Sequence, residues 1–422
     1  MSGQGNKLTV HERGADGIEL NAATAEKWRN GEGLLVRDFY PRSIIKLKDG
    51  KLLTATGQIS IDGGRTWSSK RKLINGEDIN VYSLIRMSNG ELGCCHADIA
   101  SMDTACGNAN NNWFFRWSNN EGENWSQPVK ISLDGLTMGL NNSMFSLKDG
   151  RVLVVTYSQF LSSQKGWGAS WGTYKGIRMQ TETEGHFGQM EVVRVYYSDN
   201  FGRSWKACDG WIMGYRGGYE KWVDSFVEAT GVELSDGKIL LMGRSLVGRI
   251  FKSISSDRGE TFEYAQPTSL VTSDSPGTLK ALPNGDLLFV WNQISREENR
   301  RGFRRCRLSS AISKDEGNTW SYFKNIYSIK TLSDRCYIPE EPVMTPVTGD
   351  DEVGELPEDF ELWHYCDINV IGNEVFLSYI NNTCDVEKID EKDNYCEKKC
   401  ISYKIKDIVT ADTLILPIEW FY

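Results

Sequence analysis

The sequence predicts an all-β chain folded as a six-bladed β-propeller, and three observations predict it. A short phrase of the form Ser-x-Asp-x-Gly-x-Thr-Trp is written five times. Six tight polar-glycine turns interrupt apolar runs. The two series keep the same phase along nearly all of the 422 residues.

The cleanest phrase is Ser60 to Trp67, with Asp62, Gly64 and Thr66 between. It recurs from Ser255 to Phe262 and from Ser313 to Trp320. Looser copies run from Ser118 to Trp125 and from Ser198 to Trp205, with Asn120 and Asn200 in the Asp slot. The Asp or Asn side chain accepts hydrogen bonds from the amides of its own turn, the glycine takes the positive φ, and the aromatic ring packs beneath as an anchor. Third positions at 62, 120, 200, 257 and 315 are separated by 58, 80, 57 and 58 residues. A unit of near-constant size that recurs this way is the mark of a repeat architecture, with one insertion of about two dozen residues in the second interval.

The hairpin turns fall at Asp49-Gly50, Asn89-Gly90, Asp149-Gly150, Asp236-Gly237, Asn284-Gly285 and, more weakly, Gly372-Asn373. Asp-Gly and Asn-Gly between apolar residues are the strongest short-range hairpin signals. Six four-stranded units close most simply into a ring, because radial repetition leaves only short, protected edges.

In chain order, residues 1–33 are expected to form an N-terminal extension packing on the propeller, with a short helix around Asn21 to Trp28 or an edge strand. Residues 34–422 are expected to form the propeller itself. The first blade runs from Arg42 through Leu47 and Leu52 to Ala55, then into its Asp phrase. The second starts at Asn80 and carries a Gly/Asn-rich loop from Asp98 to Asn112. The third opens at Gly139 to Asn142 and holds the long insertion, Gln159 to Gln189, where Trp167, Trp171 and Tyr174 lie among glycines. A long aromatic loop inside a compact repeat is a functional element or a packing flap. The fourth blade spans Val227 to Phe262 and the fifth Asp274 to Trp320. The sixth begins near Trp363 after an acidic connection, lacks an Asp phrase, and is expected to be completed by Thr413 to Pro417.

Bulk properties exclude several functions. A formal charge of −9 argues against nucleic acid or an anionic membrane as the general partner, since phosphate surfaces are held by surplus Lys and Arg. No apolar run approaches the ~18 residues of a membrane-spanning helix. Ten cysteines in a chain of this length do not make a disulfide scaffold. Cys384, Cys396 and Cys400 lack a fourth ligand at metal-site spacing, so no metal is expected. Cys94 and Cys95 are expected to be buried strand residues. The start, Met1 to Lys7, has no apolar stretch and reads as that of a cytoplasmic protein or of one whose leader has been removed.

In a propeller the axial strand comes first in each hairpin, and its first residues stand at the mouth of the central channel. Counting back seven to nine positions from each hairpin glycine gives Arg42, Tyr82, Asn142, Glu228, Pro276 or Gly277, and His364 or Tyr365. Polar and ionisable groups fill most of these slots, where apolar residues would serve folding equally well. That points to a site on the axis.

The repeated Asp boxes, the six hairpins and the stretches Glu228 to Arg244, Ser275 to Asn292 and Arg305 to Trp320 resemble the sialidase (neuraminidase) superfamily over about residues 35 to 380. The resemblance implies an arginine triad that clamps a carboxylate, a Tyr nucleophile paired with a Glu, and an Asp acid/base. Arginine suits a carboxylate clamp because its charge is permanent and its fork binds bidentately. A neutral phenol activated by Glu also escapes the repulsion that an anionic nucleophile would meet from the substrate's own carboxylate. By position, Glu228 matches the Glu, Tyr365 the nucleophile, and Arg244 and Arg305 the second and third arginines. Arg42 is the candidate for the first, with Arg37 competing. Tyr82 and Asn142 are further candidate substrate contacts.

The acid/base departs from the family pattern. Only Thr54 to Ile59 separates the first hairpin from the first Asp box, without a carboxylate, leaving Asp38, Asp98 and Asp103 to supply it. The leading expectation is an exo-glycosidase for a terminal acidic sugar on a glycan or glycoconjugate, such as sialic acid or a related ulosonic acid, needing no cofactor. Two alternatives stand beside it. One is an arabinanase-like glycosidase for a neutral or uronic sugar, suggested by the Tyr40-Pro41-Arg42 entry. The other is a non-catalytic carbohydrate-binding propeller with Trp167, Trp171 and Trp211 as stacking surfaces.

Overall fold

The computed structural model describes residues 22–77, 79–103, 108–133, 139–140, 142–160, 170–174, 177–180, 190–216, 223–343, 354–393 and 399–422. Six antiparallel blades close around one axis. The first blade pairs Ile44–Lys46, Leu52–Thr54 and Ile59–Ser60, with Thr66–Trp67 outside them. The second has the order Val81–Arg86, Leu92–Asp103, Asn108–Ser118, Val129–Lys130, and the third Met144–Ser146, Val152–Phe160, Met190–Ser198, Lys206–Ala207. The fourth runs Val227–Glu233, Ile239–Arg244, Arg249–Ser255, Gln266–Val271. The fifth runs Thr278–Ala281, Leu287–Trp291, Arg307–Ser313, Ser321–Ser328.

The sixth blade closes the ring. Its first three strands are Glu361–Ile371, Glu374–Asp393 and Lys399–Pro417, and its fourth is Gly33–Val36 from the other end of the chain, in the register Leu34 to Ile415 and Val36 to Thr413. The stretch Thr413 to Pro417 is therefore part of the third strand, and the blade is completed from the N-terminal side. The described part of the expected helix, from residue 22 on, is not helical. Ala23–Trp28 is a strand that pairs with Gly33–Val36 and then with Thr66–Trp67, joining the sixth blade to the first. Its Ala-rich composition favours helix weakly, and a row of ladder partners on both sides outweighs that preference.

The Asp boxes hold the outer turns as the residue types require. Ser60 Oγ accepts from the Gly64 amide at 2.7 Å, and Asp62 accepts from the Thr66 amide at 2.9 Å and the Thr66 hydroxyl at 2.6 Å. Trp67 Nε1 returns to the Gly64 carbonyl at 2.9 Å. The Thr66 hydroxyl and amide hold the Asp62 carboxyl down at about 2. Where Asn replaces Asp the geometry survives, with the Asn124 and Ser204 amides bonded to Asn120 Oδ1 and Asn200 Oδ1 at 3.0 and 2.9 Å. Each blade-to-blade space is filled with apolar side chains, and Cys94 and Cys95 are both buried.

Strand alternation sorts the connections onto two faces. The first-strand entries, the second-to-third strand connections and the links between blades share one face; the hairpins and Asp boxes share the other. All the long excursions lie on the first face: the second-blade hairpin, the third-blade insertion and the extended sixth-blade hairpin. Tyr174, from the third-blade insertion, is buried beside Leu356 and Phe360 of the link into the sixth blade, its ring 6.2 Å from that of Phe360. The insertion thus reaches from the third blade to the opposite side of the mouth. No helix among the described residues is long and apolar enough to cross a membrane.

Candidate active site

The mouth is built by a backbone device repeated at the blade entries. Arg42, Asn142, Glu228 and Tyr365 all have positive φ, at 60, 53, 51 and 49°. In a residue with a Cβ this conformation costs about 1 kcal/mol or more, and such strain concentrates at functional sites. The register of the first strand also slips between Val81 and Ser83, between Val227 and Thr230, and between His364 and Asp367. Each slip is a bulge, which re-aims a side chain that would otherwise alternate along the strand. Tyr82, Glu228 and Tyr365 are among the residues that these bulges release.

Glu228 and Arg244 meet at once, Arg244 Nη1 donating to Glu228 Oε2 at 2.9 Å, with Glu228 buried and Arg244 partly so. The bulge at Glu228 produces the pair, because it sets Val227 opposite Arg244 at the end of the neighbouring strand. Arg305 joins the fifth blade to the sixth. Its guanidinium lies 5.2 Å from the Tyr365 ring centre and Nη1 is 3.3 Å from His364 Nδ1. His364 Nε2 lies 3.0 Å from Asn382 Oδ1, and the Trp363 amide donates to the Arg305 carbonyl at 2.9 Å. A guanidinium over an aromatic face is attracted by the ring quadrupole.

On the far side of Tyr365 the first blade supplies a second group. The Tyr40 hydroxyl donates to the Tyr365 carbonyl at 2.6 Å and stands 3.5 Å from Asp367 Oδ2. Arg42 lies over the Tyr82 ring at 4.9 Å and donates to the Val81 carbonyl at 3.3 Å. Asn142 ties three blades together. Its amide group donates to the Ile368 carbonyl at 2.8 Å and to Asn369 Oδ1 at 3.2 Å, and its Oδ1 accepts from Ser43 at 3.3 Å.

Deeper on the axis, Asp367 is buried, and burial pushes its carboxyl well above the usual range against the pull of Lys280, Arg42 and the Tyr40 hydroxyl. Burial lowers Lys280 in turn, with Asp367 opposing it.

The structure therefore joins Glu228 to Arg244, Arg305 to Tyr365, and Arg42 to Tyr82. It links the first entry to the last through Tyr40. Arg37 lies outside this group, its Nε bonded to Glu26 at 2.7 Å on an exposed surface. Asp38 is exposed, its amide donating to Asp412 Oδ1 at 2.9 Å. Asp98 and Asp103 belong to the second-blade hairpin, where they pair with Asn112 and Asn108; their side chains are outside the described residues. So are the side chains of Trp167, Trp171, Cys384, Cys396 and Cys400, while Trp211 carries the Arg194 guanidinium at 4.9 Å. No cluster of metal-ligating side chains occurs among the described residues.

Asp274, Asp367 and Lys280 escape the sequence reading, and Tyr40 enters it only within the Tyr40-Pro41-Arg42 stretch. Asp274 Oδ2 lies 3.8 Å from Arg244 Nη2 and 3.4 Å from Arg304 Nη1. For Lys280 and Asp367 a signal was present, since a charged residue inside an otherwise apolar axial strand is costly without a partner. For Asp274 there was none, because the loop before the fifth blade has no fixed offset from its hairpin.

Residues 103–353 match the BNR repeat-like domain family. This chain belongs to that family. Among solved structures, a protein of unknown function from Dyadobacter fermentans is 15% identical, with 95% of this chain and 96% of that one covered at a TM-score of 0.48. A Trypanosoma rangeli sialidase in complex with the inhibitor DANA is 12% identical, with 94% of this chain and 55% of that one covered at 0.45. A Hadza microbial sialidase is 14% identical, with 86% of this chain and 63% of that one covered at 0.45. The BNR propeller thus spans little more than half the length of the trypanosomal sialidase. No curated protein sequence matches the chain.

Proposed function

We propose that this propeller is a retaining exo-glycoside hydrolase that removes a terminal acidic sugar, sialic acid or a related ulosonic acid, from a glycan. One observation carries the reading, the gathering of four guanidinium groups on the axis of an acidic protein. Arg42, Arg244, Arg304 and Arg305 stand there with Lys280, beside Glu228, Asp274 and Asp367. A guanidinium fork matches a carboxylate bidentately, so such a site is suited to an acidic sugar.

In the proposed mechanism Arg42, Arg244 and Arg305 hold the substrate carboxylate. Tyr365 Oη attacks the anomeric carbon, Glu228 takes the phenolic proton, and the bond to the leaving oxygen breaks as that oxygen receives a proton from a carboxylic acid. Asp38, Asp98 and Asp103 remain the candidates for this acid. Water then attacks the glycosyl-tyrosine, its proton passes to the same acid, and Tyr365 regains its proton from Glu228.

A second reading has its own support. Arg244 lies between two carboxylates, Glu228 at 2.9 Å and Asp274 at 3.8 Å, and a pair of carboxyl groups is the usual equipment for neutral or uronic glycosides. Turnover of a fluorogenic α-sialoside, measured beside a panel of neutral and uronic glycosides, separates the two. The acidic-sugar reading expects sialoside cleavage that falls by about 10³-fold or more in Tyr365→Phe and by roughly 10²-fold in Glu228→Ala. Sialoside turnover that survives both substitutions would refute the mechanism. Selective turnover of a neutral or uronic glycoside, lost on removing Asp274, would establish the second reading.

A further inference from the structure

Two carboxylates share Arg244, and they are held very differently. Glu228 is tightly bound at 2.9 Å and its side chain is 5% exposed. Asp274 stands 3.8 Å from Arg244 and 3.4 and 3.5 Å from Arg304, and its side chain is 23% exposed. A settled guanidinium–carboxylate bond measures roughly 2.7–2.9 Å. Arg304 itself is only 2% exposed, so water reaches the carboxylate more readily than the guanidinium behind it.

The Asp274 main chain is pinned while its carboxylate is loosely held. The next residue, Ser275, donates to Asn292 Oδ1 at 2.6 Å, Pro276 follows, and the Asp274 carbonyl accepts from Arg305 Nη2 at 3.5 Å. A side-chain rotation can therefore carry the carboxylate away from the arginines without moving the loop.

We propose that Asp274 is an internal anion that fills the arginine cluster of the empty site, and that the acid group of the incoming sugar displaces it. Asp274 then sets specificity by competition. Its carboxylate lowers the affinity for any carboxylated ligand and leaves the affinity for an uncharged analogue unaltered, because only the charged one competes with it for Arg244, the guanidinium that the clamp and Asp274 share. The inference rests on the acidic-sugar reading, which it deepens.

Binding of N-acetylneuraminic acid and of its uncharged methyl ester, measured by calorimetry on the full chain, tests it. Asp274→Asn keeps the shape and removes the charge, and is expected to tighten the acid about 10-fold with the ester unchanged. Asp274→Glu keeps the charge and extends the reach, and is expected to weaken the acid. A residue that only supports the loop would weaken binding in both variants, and that pattern overturns the proposal, as does equal binding in both. If the wild-type protein binds neither the acid nor the ester, the acidic-sugar reading fails. Thermal stabilisation by sulfate then decides about Asp274 alone: a larger shift for Asp274→Asn than for wild type supports the internal anion, and an equal or smaller one overturns it.

Discussion

The two faces of the ring are made on different principles. On the Asp-box face the same turn is repeated five times, and nearly every bond that shapes it joins residues two to four apart, as Ser60 to Gly64 and Asp62 to Thr66 do. On the mouth face the entries are Arg42, Tyr82, Asn142, Glu228 and Tyr365 in place of one repeated motif, and many of the bonds that define the site span the chain. Tyr40 and Tyr365 are 325 residues apart, Arg305 and His364 are 59 apart, and Asn142 and Ile368 are 226 apart. Repetition thus serves folding on one face, while the other is free to differ from blade to blade because the ring is already held. Strain is tolerated at four entries for the same reason, since a scaffold stabilised elsewhere can hold residues in left-handed conformations.

The contrast is broken most severely from the mouth side. Tyr365→Phe is expected to lower turnover about 10³-fold or more while leaving the melting temperature within a few degrees of wild type; a large loss of stability would make the ring part of the scaffold instead. Arg305→Ala comes next. It removes the cation over Tyr365 and the partner of His364, and should cost roughly 2–4 kcal/mol of transition-state stabilisation in kcat/KM, checked by steady-state kinetics beside a melting curve. Tyr40→Phe removes one hydroxyl and leaves the Tyr365 carbonyl buried at a bulge. A loss of about 1–3 kcal/mol in stability is expected, with kcat falling about 10-fold and KM little changed. An unchanged kcat would show that the bond shapes the strand and not the nucleophile.

The Asp-box side should give the smallest effects. Thr261→Val deletes the hydroxyl bonded to Asp257 and should cost about 1 kcal/mol in denaturant unfolding with turnover unaltered. Its pH counterpart follows from Asp62, whose folded value of about 2 lies below the ordinary ~3.9. The stability it contributes is complete above the ordinary value and is lost as pH falls toward 2. Because the group is nearly all exposed, screening keeps the contribution below about 1 kcal/mol. Asp62→Asn should flatten that part of the acid-unfolding curve, and an unaltered curve would separate the turn from acid stability.

The slots Arg42, Tyr82, Asn142, Glu228 and Tyr365 were legible because each lies at a near-constant distance from a hairpin glycine, so a count along the chain stands in for position on the axis. Arg244 entered through the family resemblance alone, and its bond to Glu228 was not foreseen although one hairpin joins their strands. Asp274 and Tyr40 were not, since each matters through partners far along the chain, Asp274 through Arg244 and Arg304 and Tyr40 through Tyr365. The left-handed φ values were not legible either, as nothing in the local sequence around Glu228 or Tyr365 calls for them. The stretch before Trp28 misled because its alanines favour helix by tenths of a kcal/mol per residue, less than the strand pairing on both sides supplies.

The amino-acid order alone determined the turns, the blade phase, the number of blades and the ionisable character of the axis, because each follows from hydrogen bonds and spacings that close within a few residues. Only the tertiary structure decided that Gly33–Val36 completes the last blade beside Lys399–Pro417, and which charges meet at the mouth. Those outcomes depend on ring closure, where the cost of joining distant segments is met by burial and ladder bonds from all six blades at once. No local window contains that sum.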